Sequence, residues 1–159
     1  MMLRNVFLSG LLASLAACGP SYIAGSEVED SAENRAIAVL VEKYRVAVEQ
    51  RDVASLKEMV SRRYFCNAGT TAEPNDDYGF EQLEQKVLPL LRDNVKSVQY
   101  TIDLRHVDFP TPNRAVAEFE YYYKFFYVDE GKDRWAAKND FDRLEFSLED
   151  GVWRIASGL

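Results

Sequence analysis

The sequence contains one histidine, His106, and two cysteines, Cys18 and Cys66, among its 159 residues. Zinc sites are built from several Cys or His ligands, so this composition excludes a multi-histidine metal centre. A Ser-His-Asp triad would have to use His106, and the Gly-x-Ser-x-Gly elbow of α/β-hydrolases does not occur. A phosphate-binding glycine loop and a dinucleotide fingerprint are also missing. We therefore expect neither a metal nor a cofactor.

Basic residues are in the minority. The chain has 19 Lys and Arg against 26 Asp and Glu, which gives a formal net charge of -7. Such a chain is repelled by nucleic acid and by anionic lipid headgroups, so we predict no nucleic-acid partner. Attachment to a membrane would need something other than a basic patch.

Residues 1–17 have the anatomy of an export signal. Arg4 supplies the basic start, residues 6–15 are mostly apolar, and the small side chains of Ala16 and Ala17 follow. The apolar stretch is shorter than the ~20 residues that a membrane-spanning helix needs. We predict a signal peptide here; the alternative is a buried N-terminal helix.

Leu15-Ala16-Ala17-Cys18 resembles the lipobox of bacterial lipoproteins. In that family the cysteine thiol receives a diacylglyceryl group, a peptidase cuts just before it, and the new amine is often acylated. The resemblance implies a mature protein that starts at Cys18 and is anchored in the cell envelope by acyl chains. Two or more acyl chains attach a protein to a membrane stably. Gly19, where Asp would retain the protein at the inner membrane, implies the outer membrane in a Gram-negative cell.

Lipid on Cys18 would leave Cys66 without a partner in the same chain. Two interpretations of Cys66 follow. It is either a buried and inert thiol beside Tyr64 and Phe65, or a reactive thiol that pairs between molecules.

The mature chain begins with a predicted flexible tether, residues 18–33, rich in Gly, Ser and acidic side chains. A helix is predicted from about Ser31 to Gln50, and Asp52 is expected to cap a second, short one. A third helix, about Phe80–Asp93, should kink near Pro89. The first helix carries an apolar stripe at helical spacing: Ile37, Leu40, Val41, Tyr44 and Val48.

From Val95 onward the apolar period changes to two, which predicts a meander of long antiparallel strands. Phe141 is out of phase with the apolar residues that follow it, so we expect a bulge near Asp142. Asn139, Asp140 and Asp142 are interpreted as a solvated bend. Helices followed by an antiparallel meander indicate an α+β fold.

Two segments, Tyr44…Val48…Arg51-Asp52 and Gly151-Val152-Trp153-Arg154-Ile155, resemble the nuclear transport factor 2-like superfamily, also called SnoaL-like or cystatin-like. The resemblance covers residues 34–159. It implies N-terminal helices packed on a strongly bent antiparallel sheet, forming a cone open at one end. Members use the cone as an enzyme site, a ligand pocket or neither, and many dimerise through the sheet, so the fold leaves function open.

Four tyrosines are candidate ligand-binding residues of the cone: Tyr44, Tyr100, Tyr121 and Tyr123. His106 shares the alternation of Tyr100, so His106, Tyr44 and Tyr100 are the candidate catalytic residues. The alternatives are ordinary core packing for the tyrosines and a place on the rim for the histidine. Asp103 is out of phase and is expected to face solvent.

Two main functions follow from this reasoning, and a third option is a structural envelope protein that dimerises through the aromatic face of its sheet. The first is a non-catalytic, lipid-anchored module that binds a small apolar ligand or an envelope protein, with a homodimer through the sheet as a further expectation. The alternative is an isomerase, dehydratase or cyclase of the SnoaL-like kind that uses His106 and a pocket tyrosine as acid and base.

Overall fold

The computed structural model describes residues 19–67 and 77–159. The predicted signal peptide, Cys18 and the middle of the loop before Tyr78 lie outside these ranges. No helix within the described ranges is long and apolar enough to cross a membrane.

Two helices open the domain at the predicted positions. Helix α1 (Ala32–Gln50) starts after Ser31, whose side chain accepts a hydrogen bond from the Asn34 N–H at 3.0 Å. Helix α2 (Val53–Met59) is capped in the same way by Asp52. The caps satisfy N–H groups that the first helical turn leaves unpaired, so both predicted starts are confirmed.

The third helical segment is irregular. It consists of α3 (Phe80–Gln82), a π-helical turn (Leu83–Val87) and α4 (Leu88–Asp93). The predicted distortion near Pro89 takes the form of this wide turn, in which the Leu88 N–H donates to the Leu83 carbonyl. Proline lacks the N–H that would continue the regular ladder.

The strands form two sheets. Strands β1 (Phe65–Cys66) and β2 (Tyr78–Gly79) make a short antiparallel pair. The main sheet is an antiparallel meander in the order β3-β4-β5-β6. Its strands are β3 (Val95–Thr111), β4 (Arg114–Asp129), β5 (Lys132–Glu149) and β6 (Val152–Ser157). Helices packed against a curved antiparallel sheet confirm the α+β prediction.

The inner face of the main sheet forms the core with the helices. Ala117 and Phe119 on β4 are buried, and their partners on β5 are Leu144 and Asp142. The β4–β5 register runs without a break, so the bulge predicted near Asp142 is wrong. Phe141 instead points to the outer face and is 70% exposed. The inner face of β5 changes from apolar to polar at Asp142 as the strand leaves the core.

The segment predicted as a flexible tether is folded over much of its described length. Tyr22 pairs with Glu29, and the Ile23 N–H donates to the Val28 carbonyl at 2.9 Å. Val28 is only 4% exposed. Gly25 turns the chain with a φ of 76°. The buried Val28 and the partly buried Ile23 dock this N-terminal hairpin, residues 21–30, on the domain.

Candidate functional site

The structure brings the four candidate tyrosines together on the inner face of the sheet. The Tyr44 and Tyr100 rings meet edge to face at 6.0 Å between centroids. Tyr121 lies 6.3 Å from Tyr100 and stacks on Tyr123 at 5.8 Å. The cluster follows from strand register, because Tyr100 is the direct partner of Tyr123, while α1 supplies Tyr44 from above.

The cluster has a buried and an open half. Tyr44 and Tyr100 are 8% and 7% exposed and belong to the core, whereas Tyr121 and Tyr123 are half-buried. Tyr44 and Tyr100 thus pack in the core, as the alternative interpretation expects, whereas ligand binding by Tyr121 and Tyr123 stays a prediction. Phe125 extends the row, with its ring 4.8 Å from that of Tyr123.

Burial raises the pKa of the two core tyrosines, Tyr44 and Tyr100. It raises the pKa of Tyr44 to about 12, against an interaction with Tyr100 that lowers it. Burial and the neighbouring Tyr44 also raise the pKa of Tyr100. A tyrosine is protonated at neutral pH even at its ordinary value of 10.0, and burial moves the ionisation of these two further away, so their hydroxyls can donate hydrogen bonds.

Strand β5 adds charges to the same face. Asp142, Asp140 and Lys138 are the register partners of Phe119, Tyr121 and Tyr123. Lys138 contacts Asp140 at 2.7 Å, and Asp140, followed by Tyr121, raises the pKa of Lys138. Asn139, Asp140 and Asp142 are exposed to solvent as predicted, but the predicted bend is wrong, because these residues continue a regular strand. The sequence contained a signal for this placement, because Asp140 and Asp142 alternate in step with the buried Leu144 and Phe146 and so fall on the same face of a regular strand.

A second tyrosine pair closes one side of the cone. The Tyr64 hydroxyl donates to the Leu159 main-chain oxygen and accepts from the Leu159 N–H, both at 2.9 Å. The Tyr78 hydroxyl donates to the same oxygen. Cys66 is buried beside this pair, as the first interpretation of this thiol expects. The carboxyl-terminal residues thus hold the β1–β2 pair against the main sheet.

A cavity of about 600 Å³ lies next to this pair. Its wall is mixed in character and includes Arg63, Cys66, Tyr78, Arg114 and Asp142. Burial raises the pKa of Tyr78 most, followed by Cys66, and the carboxylate of Asp142 adds the smallest contribution. Sequence reasoning missed Asp142 as a site residue because it placed a bulge there.

His106 does not join the cluster. A register shift between Leu104 and His106 moves the histidine to the outer face, opposite Glu118, and it is exposed. Leu104 and Val107 are the buried neighbours on either side. The prediction that His106 shares the face of Tyr100 is therefore wrong, because the bulge adds one residue to the alternation. Asp103 faces solvent as expected.

No protein-family model and no curated protein matches the chain. Solved structures do. A nuclear transport factor 2-like superfamily protein from Salmonella enterica serovar Typhimurium LT2 aligns with a TM-score of 0.61 at 15% identity, over 78% of this chain and 86% of that one. An uncharacterized protein with a cystatin-like fold from Caulobacter vibrioides gives 0.62 at 17% identity, over 79% and 85%.

An enzyme is also among these structures. The hexachlorocyclohexane dehydrochlorinase LinA-type3 from Novosphingobium barchaimii LL02 aligns with a TM-score of 0.59 at 16% identity, over 80% of this chain and 84% of that one. At such identities a likeness shows architecture alone. The chain has the nuclear transport factor 2-like, cystatin-type α+β fold.

Proposed function

We propose that this protein is a lipid-anchored lipoprotein of the cell envelope whose cone domain binds a ligand without turning it over. The lipobox-like segment that ends at Cys18 supports the anchor. The single observation that carries the binding role is the open half of the tyrosine cluster, Tyr121 and Tyr123, on the inner face of the sheet, while the one histidine of the chain lies on the opposite face.

The open half of the cluster fits a small apolar ligand. The rings of Tyr123 and Phe125 form part of the wall of a cavity of about 430 Å³, which Leu91, Val95 and Tyr127 continue towards the rim. Aromatic walls with a few fixed polar groups are typical of small-molecule sites. Asn94 and Asp129 add polar groups to its wall.

The uncharged fluorophore N-phenyl-1-naphthylamine is a suitable probe for this site. We expect its fluorescence to rise on mixing with the protein, and Tyr123→Ala to weaken its binding about tenfold, the equivalent of ~1.4 kcal/mol. Tyr122→Ala is the matched control, since Tyr122 is the next residue on the same strand but lies on the outer face. Equal losses in both variants would contradict the site.

The anchor is tested separately. Mass spectrometry of the protein from its native membranes should show acyl chains on an N-terminal Cys18, and Cys18→Ala should retain its leader sequence and carry no lipid. An unmodified Cys18 in the wild-type protein would contradict the anchor.

A second candidate function is an isomerase, dehydratase or cyclase in which Asp142, and not His106, exchanges the proton. The observation that favours it is the position of Asp142 on the inner face of β5, opposite Phe119 and in the wall of the cavity that Tyr78 also lines. A carboxylate facing protonated tyrosines pairs a base with hydrogen-bond donors. Turnover that Asp142→Asn abolishes and His106→Ala preserves would replace the binding proposal by this one.

We also propose a homodimer through the outer face of the sheet. Phe126 and Trp135 are cross-strand partners there, and Trp135 is 64% exposed; Tyr122 and Phe141 add aromatic surface. Sedimentation should show a dimer for the wild-type protein and a monomer for Trp135→Glu. Val152→Glu, which replaces another exposed side chain, should leave the dimer intact. A wild-type protein that stays monomeric at all concentrations contradicts this interface.

A further inference from the structure

The N-terminal hairpin leaves very little free chain between Cys18 and the folded domain. The Ser21 carbonyl already accepts a hydrogen bond from the Asp30 N–H at 2.7 Å, and Tyr22 pairs with Glu29. Three residue steps separate position 18 from Ser21, and an extended chain covers about 3.3 to 3.6 Å per residue, so the reach is about 10 Å.

The hairpin is attached firmly to the domain. Its Glu27 N–H donates to the Leu104 carbonyl at 3.2 Å, and the Glu27 carboxylate contacts Arg105. Asp30 forms an ion pair with Arg35 on α1, and the Asn34 amide donates to the Glu29 carbonyl at 2.9 Å. With Val28 buried, the hairpin moves with the domain and not as a separate strap.

From these contacts we propose that the hairpin fixes the orientation of the domain on the membrane, with the start of α1 and the hairpin turned towards the lipid surface. The inference rests on the proposed lipid on Cys18. A short link alone limits the distance to the bilayer; a short link to a docked hairpin also limits which side of the domain can face it.

The side chains on this side suit a lipid interface. Tyr22 and Val39 are 57% and 54% exposed, and a largely apolar cavity of about 490 Å³ between Ile23, Ala38 and Val39 opens beside them. A tyrosine ring can lie at the headgroup level with its hydroxyl in water. Pairing of Glu27 and Asp30 with arginines reduces repulsion by anionic lipids.

The far end of the domain would then point away from the membrane. Along β3, Val95 lies nine residues before Leu104, or about 30 Å at about 3.3 Å per residue. Val95 pairs with Tyr127, close to the β4–β5 turn at Gly131. The open half of the tyrosine cluster and its apolar cavity are at this far end, where a ligand or partner from the periplasmic side could reach them.

Paramagnetic relaxation in nanodiscs tests the orientation. The full lipidated protein is placed in nanodiscs of phosphatidylethanolamine and phosphatidylglycerol that contain a gadolinium-chelating headgroup lipid. We expect the amide of Gly25 to relax several-fold faster than that of Gly131. A flexible Gly-Ser linker of about 12 residues inserted between Pro20 and Ser21 should reduce this ratio towards one, because the lipid is kept and the link is lengthened.

Two negative results have different meanings. If the wild-type protein remains associated with the discs but shows the same ratio as the linker variant, the orientation is overturned and the lipid anchor stands. If the protein does not associate with the discs, the proposed anchor fails, and the orientation fails with it. In Val28→Asp, which should undock the hairpin, Gly25 stays close to the lipid along the chain, so the ratio is taken between the amides of Val39 on α1 and Gly131, and it should fall towards one.

Discussion

Arg45 on α1 donates a hydrogen bond from Nη1 to the main-chain oxygen of Tyr100, at 3.0 Å, on the open edge of β3. Glu49, one turn further along the helix, accepts from the Tyr100 N–H at 3.4 Å. Arg51 likewise donates a hydrogen bond to the Val95 carbonyl at 2.6 Å. In the N-terminal hairpin, the Glu27 N–H donates to the Leu104 carbonyl. The edge strand is thus paired with side chains and loop, which blocks strand addition by other molecules.

Loss of Arg45 should therefore destabilise the domain. Arg45→Ala leaves the Tyr100 carbonyl without its partner, and an unpaired buried group costs about 1 to 3 kcal/mol of unfolding free energy. Urea denaturation measures this. Arg92→Ala is the control, because Arg92 pairs with its exposed neighbour Asp93 alone and should change little. Similar midpoints for the two variants would contradict the role of Arg45.

Glu149 makes the stability of the domain sensitive to acid. The buried hydroxyl of Ser61 donates to Glu149 at 2.6 Å, and this bond, helped by Ser147 and Arg63, holds the pKa of Glu149 below its ordinary value of 4.5. The folded state thus binds the proton less tightly than the unfolded state, so the stabilisation is present above pH 4.5 and is lost as the pH falls through the lower, folded value.

The comparison of wild type with Glu149→Gln measures this effect. The gap in unfolding free energy between the two proteins should be largest near neutral pH and should shrink as the pH falls below 4.5. A gap that is constant from pH 7 to pH 3 would show that the charge of Glu149 does not contribute.

Alkaline titration tests the protonation of the tyrosine cluster. The ordinary tyrosine value is 10.0, and burial raises the pKa of Tyr44 to about 12. Its contribution to stability is therefore complete below pH 10 and is lost as the pH rises towards 12. Ultraviolet absorbance of phenolate should show late ionisation, and its amplitude near pH 12 should be smaller by one tyrosine in Tyr44→Phe. Ionisation of all tyrosines near pH 10 in the folded protein would contradict it.

Gly158 allows the carboxyl-terminal residues to close over the cone. Its φ is 101°, and a Cβ atom there would overlap the Arg143 carbonyl oxygen. Gly158→Ala should detach Leu159 from Tyr64 and Tyr78 and lower the midpoint of urea unfolding. Gly131→Ala has a similar positive φ of 74° but open space around it, so it should cost less. Equal effects would mean that backbone strain, and not the overlap, dominates.

Local signals in the sequence determined the start of each element. Ser31 and Asp52 cap helices where their side chains can reach an N–H three residues on, and Asp150-Gly151 turns the last hairpin with positive φ at both residues. The apolar stripe of α1 and the period-two strands then required an α+β arrangement. These features depend on residues close in the chain, so they can be predicted from it.

The position of each site residue depended on tertiary structure. Strand phase was predicted wrongly at two places, at His106 in β3 and near Asp142 in β5. One bulged residue in β3 turns His106 outward, and the lack of a bulge in β5 turns Asp142 inward. Whether a strand slips by one residue is decided by the partner strand and by the helices packed on it, contacts that no local pattern in the chain records.

The N-terminal hairpin also depends on tertiary contacts that its own sequence does not indicate. Its composition is that of a linker, and its polar residues alone would leave it extended in solvent. Only the folded domain offers the Leu104 carbonyl, Arg105 and Arg35 as partners, and a buried place for Val28. The sequence determined which elements form, because helix caps, turns and periodicity are local; the packed structure decided which side chains share a face, because register is not.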